Sequence, residues 1–185
     1  MEKRILQSIC SVTICLVMIG FVSMVSCKPG GLDSGKIETR DSLFLGLKFG
    51  MSSEEFFSVS WDLNKKGKIT NGSSNLSIRY KVTEFDYPAN LNYYPDFEED
   101  QLNFFPARVH YDNWSPWNKE FWSDKLIIEV KDLMEEWMGG KFSLEKEDTG
   151  KQYFLRKQGE VETTIKQVDD QYVRIEIRHY GYPKK

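Results

Sequence analysis

Hydrophobic and polar positions divide the chain into stretches of different kind. Lys3-Arg4 opens it, and an apolar run follows, densest from Ile14 to Val22, before Met24-Val25-Ser26-Cys27. A charged start, an apolar middle and small residues before a cut site make a secretory signal, because the apolar run enters translocon and lipid while the cations stay behind. Lys28 to Arg40 differs. Pro29, Gly30, Gly31, Ser34 and Gly35 leave only Leu32 and Ile37 as sizeable apolar residues, too little surface to order a segment. The pattern predicts a signal over 1–26, a tether over 27–41 and one folded domain over 42–185.

Leu43 to Gly50 is apolar and glycine-broken, which fits a short buried strand or an extended lead-in. Ser52 with Glu55 is a capping box, and Phe56, Val59, Ser60 and Leu63 recur at helical spacing. With Gly67 as a stop, they predict a helix over 53–65. Leu76, Ile78, Tyr80 and Val82 alternate with polar residues, as do Phe105, Ala107, Val109 and Tyr111, predicting two strands with one face in a core. Pro106 has no N–H for a ladder, so it predicts a strand start or an edge. A second helix is predicted over 124–138. Ser123 is its N-cap, Asp124 favours its first turn, and its stripe is Leu126, Val130, Leu133 and Trp137, widened by Ile127 and Met134. Gly139-Gly140 ends it.

The remainder reads as a meander, with strands in Lys141–Glu147, Tyr153–Arg156, Val161–Ile165 and Val173–Ile177 and turns at Gln158-Gly159 and Asp169-Asp170. Runs of adjacent strands favour antiparallel pairing. Together these elements predict an α+β domain: a curved antiparallel sheet with two packed helices, in the order helix, strands, helix, strands. Each half opens on a helix, which raises the idea of an internal duplication, although no residue-level identity relates the halves.

The end of the leader resembles the lipobox of bacterial lipoproteins, in which the cysteine becomes the lipidated first residue of the mature chain. Val25 and Ser26 fit, and Met24 stands where that family usually has Leu. The resemblance implies acylation of Cys27 and attachment to a membrane of the bacterial cell envelope, the outer membrane being favoured. Two alternatives stand beside it. One is an ordinary secretory signal cut elsewhere. The other is an uncleaved anchor, which needs about 20 apolar residues, whereas Gln7, Ser8, Ser11, Thr13 and Ser23 interrupt this stretch. Cys10 and Cys15 lie in the leader, so the mature chain would keep Cys27 alone and form no internal disulfide.

Further on, Gly50-Met51-Ser52 resembles a motif of small envelope lipoproteins of the BamE (SmpA/OmlA) type. There a Gly-x-Ser/Thr turn starts a helix, and a helix-plus-meander domain follows the lipidated cysteine. This chain is longer, lacks the Gly-x-Pro that usually follows the helix, and has an aromatic-rich middle. The resemblance implies a role in outer-membrane assembly.

Charge narrows the partners. The chain is 185 residues with a net charge of −3, and loss of residues 1–26 leaves 23 basic against 27 acidic side chains, net −4. Composition therefore supports no nucleic-acid partner, and the lipid would tether a body that does not itself seek an anionic membrane. The chemistry of catalysis is sparse. His110 and His179 lie apart in predicted strands and read as strand-surface residues. No Gly-x-Ser-x-Gly elbow and no phosphate loop is present. Two histidines without a spare cysteine do not suit zinc. Asp96, Glu98, Glu99 and Asp100 could attract calcium but lack EF-hand spacing and read as a solvated loop. No cofactor and no metal is expected, and an enzyme is disfavoured.

What rises above background is aromatic clustering. Residues 85–122 hold 12 of the 26 aromatics, and the stretch from Phe85 to Phe104, with Pro88, Asn90, Asn92 and Pro95, reads as a long loop. Exposed Tyr and Trp suit a partner protein or the apolar face of a sugar. The candidate binding surface is Trp114, Trp117 and Trp122, then Tyr93 and Tyr94; the competing reading makes these aromatics core. A membrane-tethered module that binds an envelope protein or polymer is expected. The alternative is a carbohydrate-binding or sugar-active protein using this segment with acids such as Asp112.

Overall fold

The computed structural model of the chain describes residues 41–72 and 77–183. The leader, Cys27, the tether up to Arg40, and Leu76 of the first predicted strand lie outside them. The chain divides into two units, Met1–Asp33 and Ser34–Lys185, and only the second is described. Among the described residues no helix is long and apolar enough to cross a membrane.

The first helix, α1, spans Ser53–Lys65, as its pattern predicts. Ser52 Oγ accepts the Glu55 N–H at 3.2 Å, and Glu55 Oε2 accepts the Ser52 N–H at 2.8 Å. Both halves of the capping box are therefore made. Gly67, at φ +67°, turns the chain out of the helix, and the Lys68 N–H returns to the Leu63 carbonyl at 2.9 Å. Glycine enters that left-handed region without the Cβ penalty.

The second helix, α2, spans Ser123–Met138, but its N-cap is Trp122, with no side-chain cap bond. Ser123 is fully buried inside the helix start. Its N–H donates to the Asp170 carbonyl at 2.9 Å, and its hydroxyl donates to the Asp169 carbonyl and accepts from Gln167 Nε2 at 2.8 Å. Instead of capping its own helix, Ser123 pins that helix to a distant turn. Capping preference describes the local competition for a hydroxyl, and here acceptors brought by the tertiary fold win it.

Among the described residues nine strands form one sheet: β1 (Ile69–Asn71), β2 (Ile78–Val82), β3 (Ala89–Tyr93), β4 (Asp96–Glu98), β5 (Gln101–Tyr111), β6 (Ser143–Lys146), β7 (Gln152–Gln158), β8 (Val161–Gln167) and β9 (Val173–His179). The spatial order is β1-β2-β3-β5-β9-β8-β7-β6, with β4 beside β5. Every pairing is antiparallel. The molecule is α+β, and each half runs from a helix through strands that step inward from an edge to the centre, where β5 meets β9. The helices are not equivalent. α2 packs on the central strands β5, β8 and β9, whereas α1 packs on edge strand β1.

Three expectations are corrected here. The stretch from Phe85 to Phe104 is no long loop, since it contains β3, β4 and the start of β5. Ala89, Leu91 and Tyr93 are buried between Asn90 and Asn92, a strict alternation that the asparagines and flanking prolines disguise as turn signals. Pro106 sits inside central strand β5, opposite Glu176 of β9. It is tolerated because the ladder on the other flank is interrupted there, β3 ending at Tyr93↔Ala107 and β4 beginning at Asp96↔Phe104. Finally, Leu43–Gly50 is neither strand nor extended lead-in. The Leu43 N–H reaches the Leu47 carbonyl at 2.8 Å across a turn with Leu45 and Gly46 at φ +57° and +78°.

The core follows from register. Tyr93, Ala107, Ile175 and Ile165 lie in one cross-strand row, and Leu91, Val109 and Val173 in the next. All are buried, under Leu126, Val130 and Met134 of α2 and Leu43 and Leu47 of the turn. Phe44 stacks on Trp137 at 5.0 Å and meets the edges of Tyr93 and Phe105. A fully buried Leu, Ile, Val or Met among them contributes about 1.5–3 kcal/mol.

Candidate functional site

The five aromatic candidates do not form one surface. Tyr93 is core, 2% exposed and packed against Phe105 at 5.0 Å. Trp114 is half-buried, and its Nε1 donates to the Asp170 carbonyl at 3.1 Å, which ties the 112–122 segment to the turn that also receives Ser123. Trp122 is half-buried under the Lys119 ammonium, 5.1 Å from its ring. Trp117 alone stands clear, at 85% exposed. Tyr94, half-buried, lies at the far end of β3, because Tyr93 pairs with Ala107 while Ala89 pairs with Tyr111, the strand end that leads to Trp114. Four strand steps of about 3.3 Å separate those ends. Among the other aromatics of the segment, Phe105 and Tyr111 are buried, and Phe85, Phe97 and Phe121 pack against the core.

The acidic run has structural work. Asp100 Oδ1 accepts both the N–H and the hydroxyl of Ser53, at 3.0 and 2.6 Å, an added cap on α1 that holds this carboxyl below its ordinary range. Glu98 accepts from Asn103 Nδ2 at 2.6 Å. Asp112 receives Asn90 Nδ2 and lies 3.5 Å from the Lys81 ammonium. Among the described residues no group of three or more His, Cys, Asp or Glu could hold a metal ion.

His110 Nδ1 lies 3.0 Å from the Tyr111 carbonyl. His179 is not a strand-surface residue: it is 5% exposed. Its Nδ1 accepts the Gly181 N–H at 3.0 Å, so Nε2 carries the proton and donates to Asp41 Oδ1 at 3.0 Å. The other Asp41 oxygen accepts from the Tyr182 hydroxyl at 3.2 Å. With both ring nitrogens engaged, no lone pair remains to act as a base. This triad ties Asp41 to the end of β9 and the residues that follow it. Gly50 belongs to the same joint: a Cβ there would run into the Tyr182 ring, and its φ is +77°. Gly50 and Ser52 of the Gly-x-Ser motif thus answer to packing and capping.

A different arrangement appears on the sheet face away from α2. Cross-strand register aligns Arg79, Asn92, Arg108, Arg174, Lys166 and Tyr153 in one row across β2, β3, β5, β9, β8 and β7. Directly paired residues share a face, and strands lie about 4.8 Å apart. Arg108, Arg174 and Lys166 are therefore three cations side by side, an order that is itself destabilising. Two are partly compensated, Arg174 by Glu176 at 3.1 Å and Lys166 by Glu147 at 2.8 Å. Arg108 is exposed and has no acidic partner among the described residues. At this row the face dips into an open hollow of about 280 Å³ lined by Ser77, Asn92, Tyr94, Pro106, Arg108 and Arg174. Among the described residues no acidic side chain lines it. The wall combines side-chain hydrogen-bond donors with the flat apolar surfaces of Tyr94 and Pro106, a combination suited to holding an anionic ligand.

Reading by residue type misses this row, because each cation is only the polar member of an alternation. A local signal existed in Arg108 and Arg174, but the register that sets them opposite one another is a property of chain halves 66 positions apart. A second surface it misses is on α1, where Phe57 and Trp61 are 53% and 65% exposed. No family model, curated protein or solved structure matches the chain.

Proposed function

We propose that this chain is a non-enzymatic lipoprotein of the bacterial cell envelope, held to its membrane through an acylated Cys27. On this reading its α+β domain binds an envelope protein or polymer on the exposed sheet face. The observation that carries the binding half is the row Arg108, Arg174 and Lys166. Aligned like charges cost folding free energy, and a bound anion that pairs with them would offset that cost. The membrane half rests on the leader that ends at Met24-Val25-Ser26-Cys27. Curvature of the sheet, expected from the strand pattern, belongs to the same reading. The outer-membrane assembly role implied by Gly50-Met51-Ser52 is one setting for such a domain. A second reading, a carbohydrate-binding protein, is favoured by Tyr94 and Pro106 beside the donors of the hollow.

The full-length chain expressed in a Gram-negative host tests the anchor. The membrane fraction should contain a species with the mass of residues 27–185 plus acyl chains, absent for Cys27→Ala. An unacylated product cut elsewhere would remove the lipoprotein reading.

A further inference from the structure

We infer that the row across the sheet face seats an acidic polysaccharide, the carboxylates of successive sugar units engaging Arg108, Arg174 and Lys166. This rests on the reading of that face as the binding surface. Guanidinium groups are planar forks that match a carboxylate with two parallel hydrogen bonds, and they keep their charge at any physiological pH. Arg108 is the primary anchor, because its charge is uncompensated among the described residues. Arg174 engages Glu176 through Nε, which leaves its terminal nitrogens to donate. Asn92 and Ser77 add amide and hydroxyl groups of the kind that satisfy sugar hydroxyls, and Tyr94 with Pro106 adds the apolar flank on which a pyranose ring lies.

Extent favours a polymer. From Arg79 on β2 to Tyr153 on β7 the row crosses six neighbouring strands, about 24 Å at the usual strand spacing, while the hollow of about 280 Å³ holds only a small part of such a chain. At the far end the Lys166 ammonium sits 4.7 Å from the Tyr153 ring, extending the alternation of cation and aromatic face. An acidic peptide fits less well. Peptides that dock on sheets take their affinity from unpaired backbone groups at an edge, and β3, β5, β9 and β8 are paired on both sides over this row.

Full-length protein in detergent, titrated at low salt by calorimetry, decides the matter. Polygalacturonate should bind and neutral dextran should not. Poly-glutamate and polyphosphate, which carry the charge without the carboxylated sugar, should bind at least tenfold more weakly. Arg108→Gln and Arg174→Gln should each weaken polygalacturonate at least tenfold without lowering the melting temperature, and Arg108→Lys should fall between. Trp117→Ala, exposed but outside the row, should leave affinity unchanged. Absence of polygalacturonate binding, equal or tighter binding of either control polyanion, or indifference to both arginine substitutions would overturn the inference. Its failure in a chain that is still acylated at Cys27 would leave the anchor standing. Binding retained by an unacylated chain would leave the ligand and remove the anchor.

Discussion

Glu129 shows how one residue of α2 can be placed at a cost. Tyr111 and the Asp86 backbone hydrogen-bond its carboxyl, yet Oε2 is buried without a partner among the described residues. Burial pushes the pKa above its ordinary value, the Tyr111 hydrogen bond opposing and the nearby Asp86 charge adding to the rise. Because the folded-state pKa is the higher one, the protonated acid suits the fold. That contribution is fully present below the ordinary value of 4.5 and is lost as pH rises through the raised value. Glu129→Gln keeps an acceptor for Tyr111 and cannot ionise. Melting temperatures measured against pH should therefore coincide near pH 4, with the variant the more stable at pH 7. Parallel curves for the two proteins would refute this placement of the carboxyl. The sequence offered no hint of it, since Glu129 reads as an ordinary solvent-facing position between Leu126 and Val130.

At the scale of elements, the two helices contrast in what holds their ends. α1 carries its own instructions in Ser52, Glu55 and Gly67, and the structure follows them residue for residue. α2 does not. Its start is held by carbonyls of the β8–β9 turn, and at its far end the buried Arg156 of β7 donates to the Met138 carbonyl at 2.9 Å, a cation placed at a helix C-terminus. Removing Ser52 loses one exposed cap, worth about 1 kcal/mol. Removing Ser123 strips partners from a buried network, worth about 2 kcal/mol. Urea unfolding of Ser52→Ala and Ser123→Ala should rank them in that order. The reverse order would mean that the link from α2 to the turn adds little. Strands divide in the same way: β8 and β9 announce themselves by alternating branched residues, whereas β3 hides behind asparagines until β2 and β5 flank it.

For the whole molecule, the joining of the two halves at β5 and β9 decides both stability and surface. That pairing sets Arg108 against Arg174, and β8 adds Lys166. Like charges directly opposed cost a few tenths to about 1 kcal/mol. Arg108→Thr, which removes the uncompensated member and suits a strand, should raise stability by that amount in low salt. The gain should shrink as salt screens the wild-type row. A variant less stable than wild type at low salt would show that the row is not under electrostatic tension. The sequence by itself determined the α+β class, both helices to within a residue and the strands of the last meander, because capping and periodicity act between neighbours along the chain. Only the tertiary structure decided that Tyr93 is core, that Pro106 sits in a central strand, that His179 closes on Asp41, and that scattered cations form one row. Each of these depends on which strands lie side by side, and strand pairing is settled by burial summed over the whole sheet.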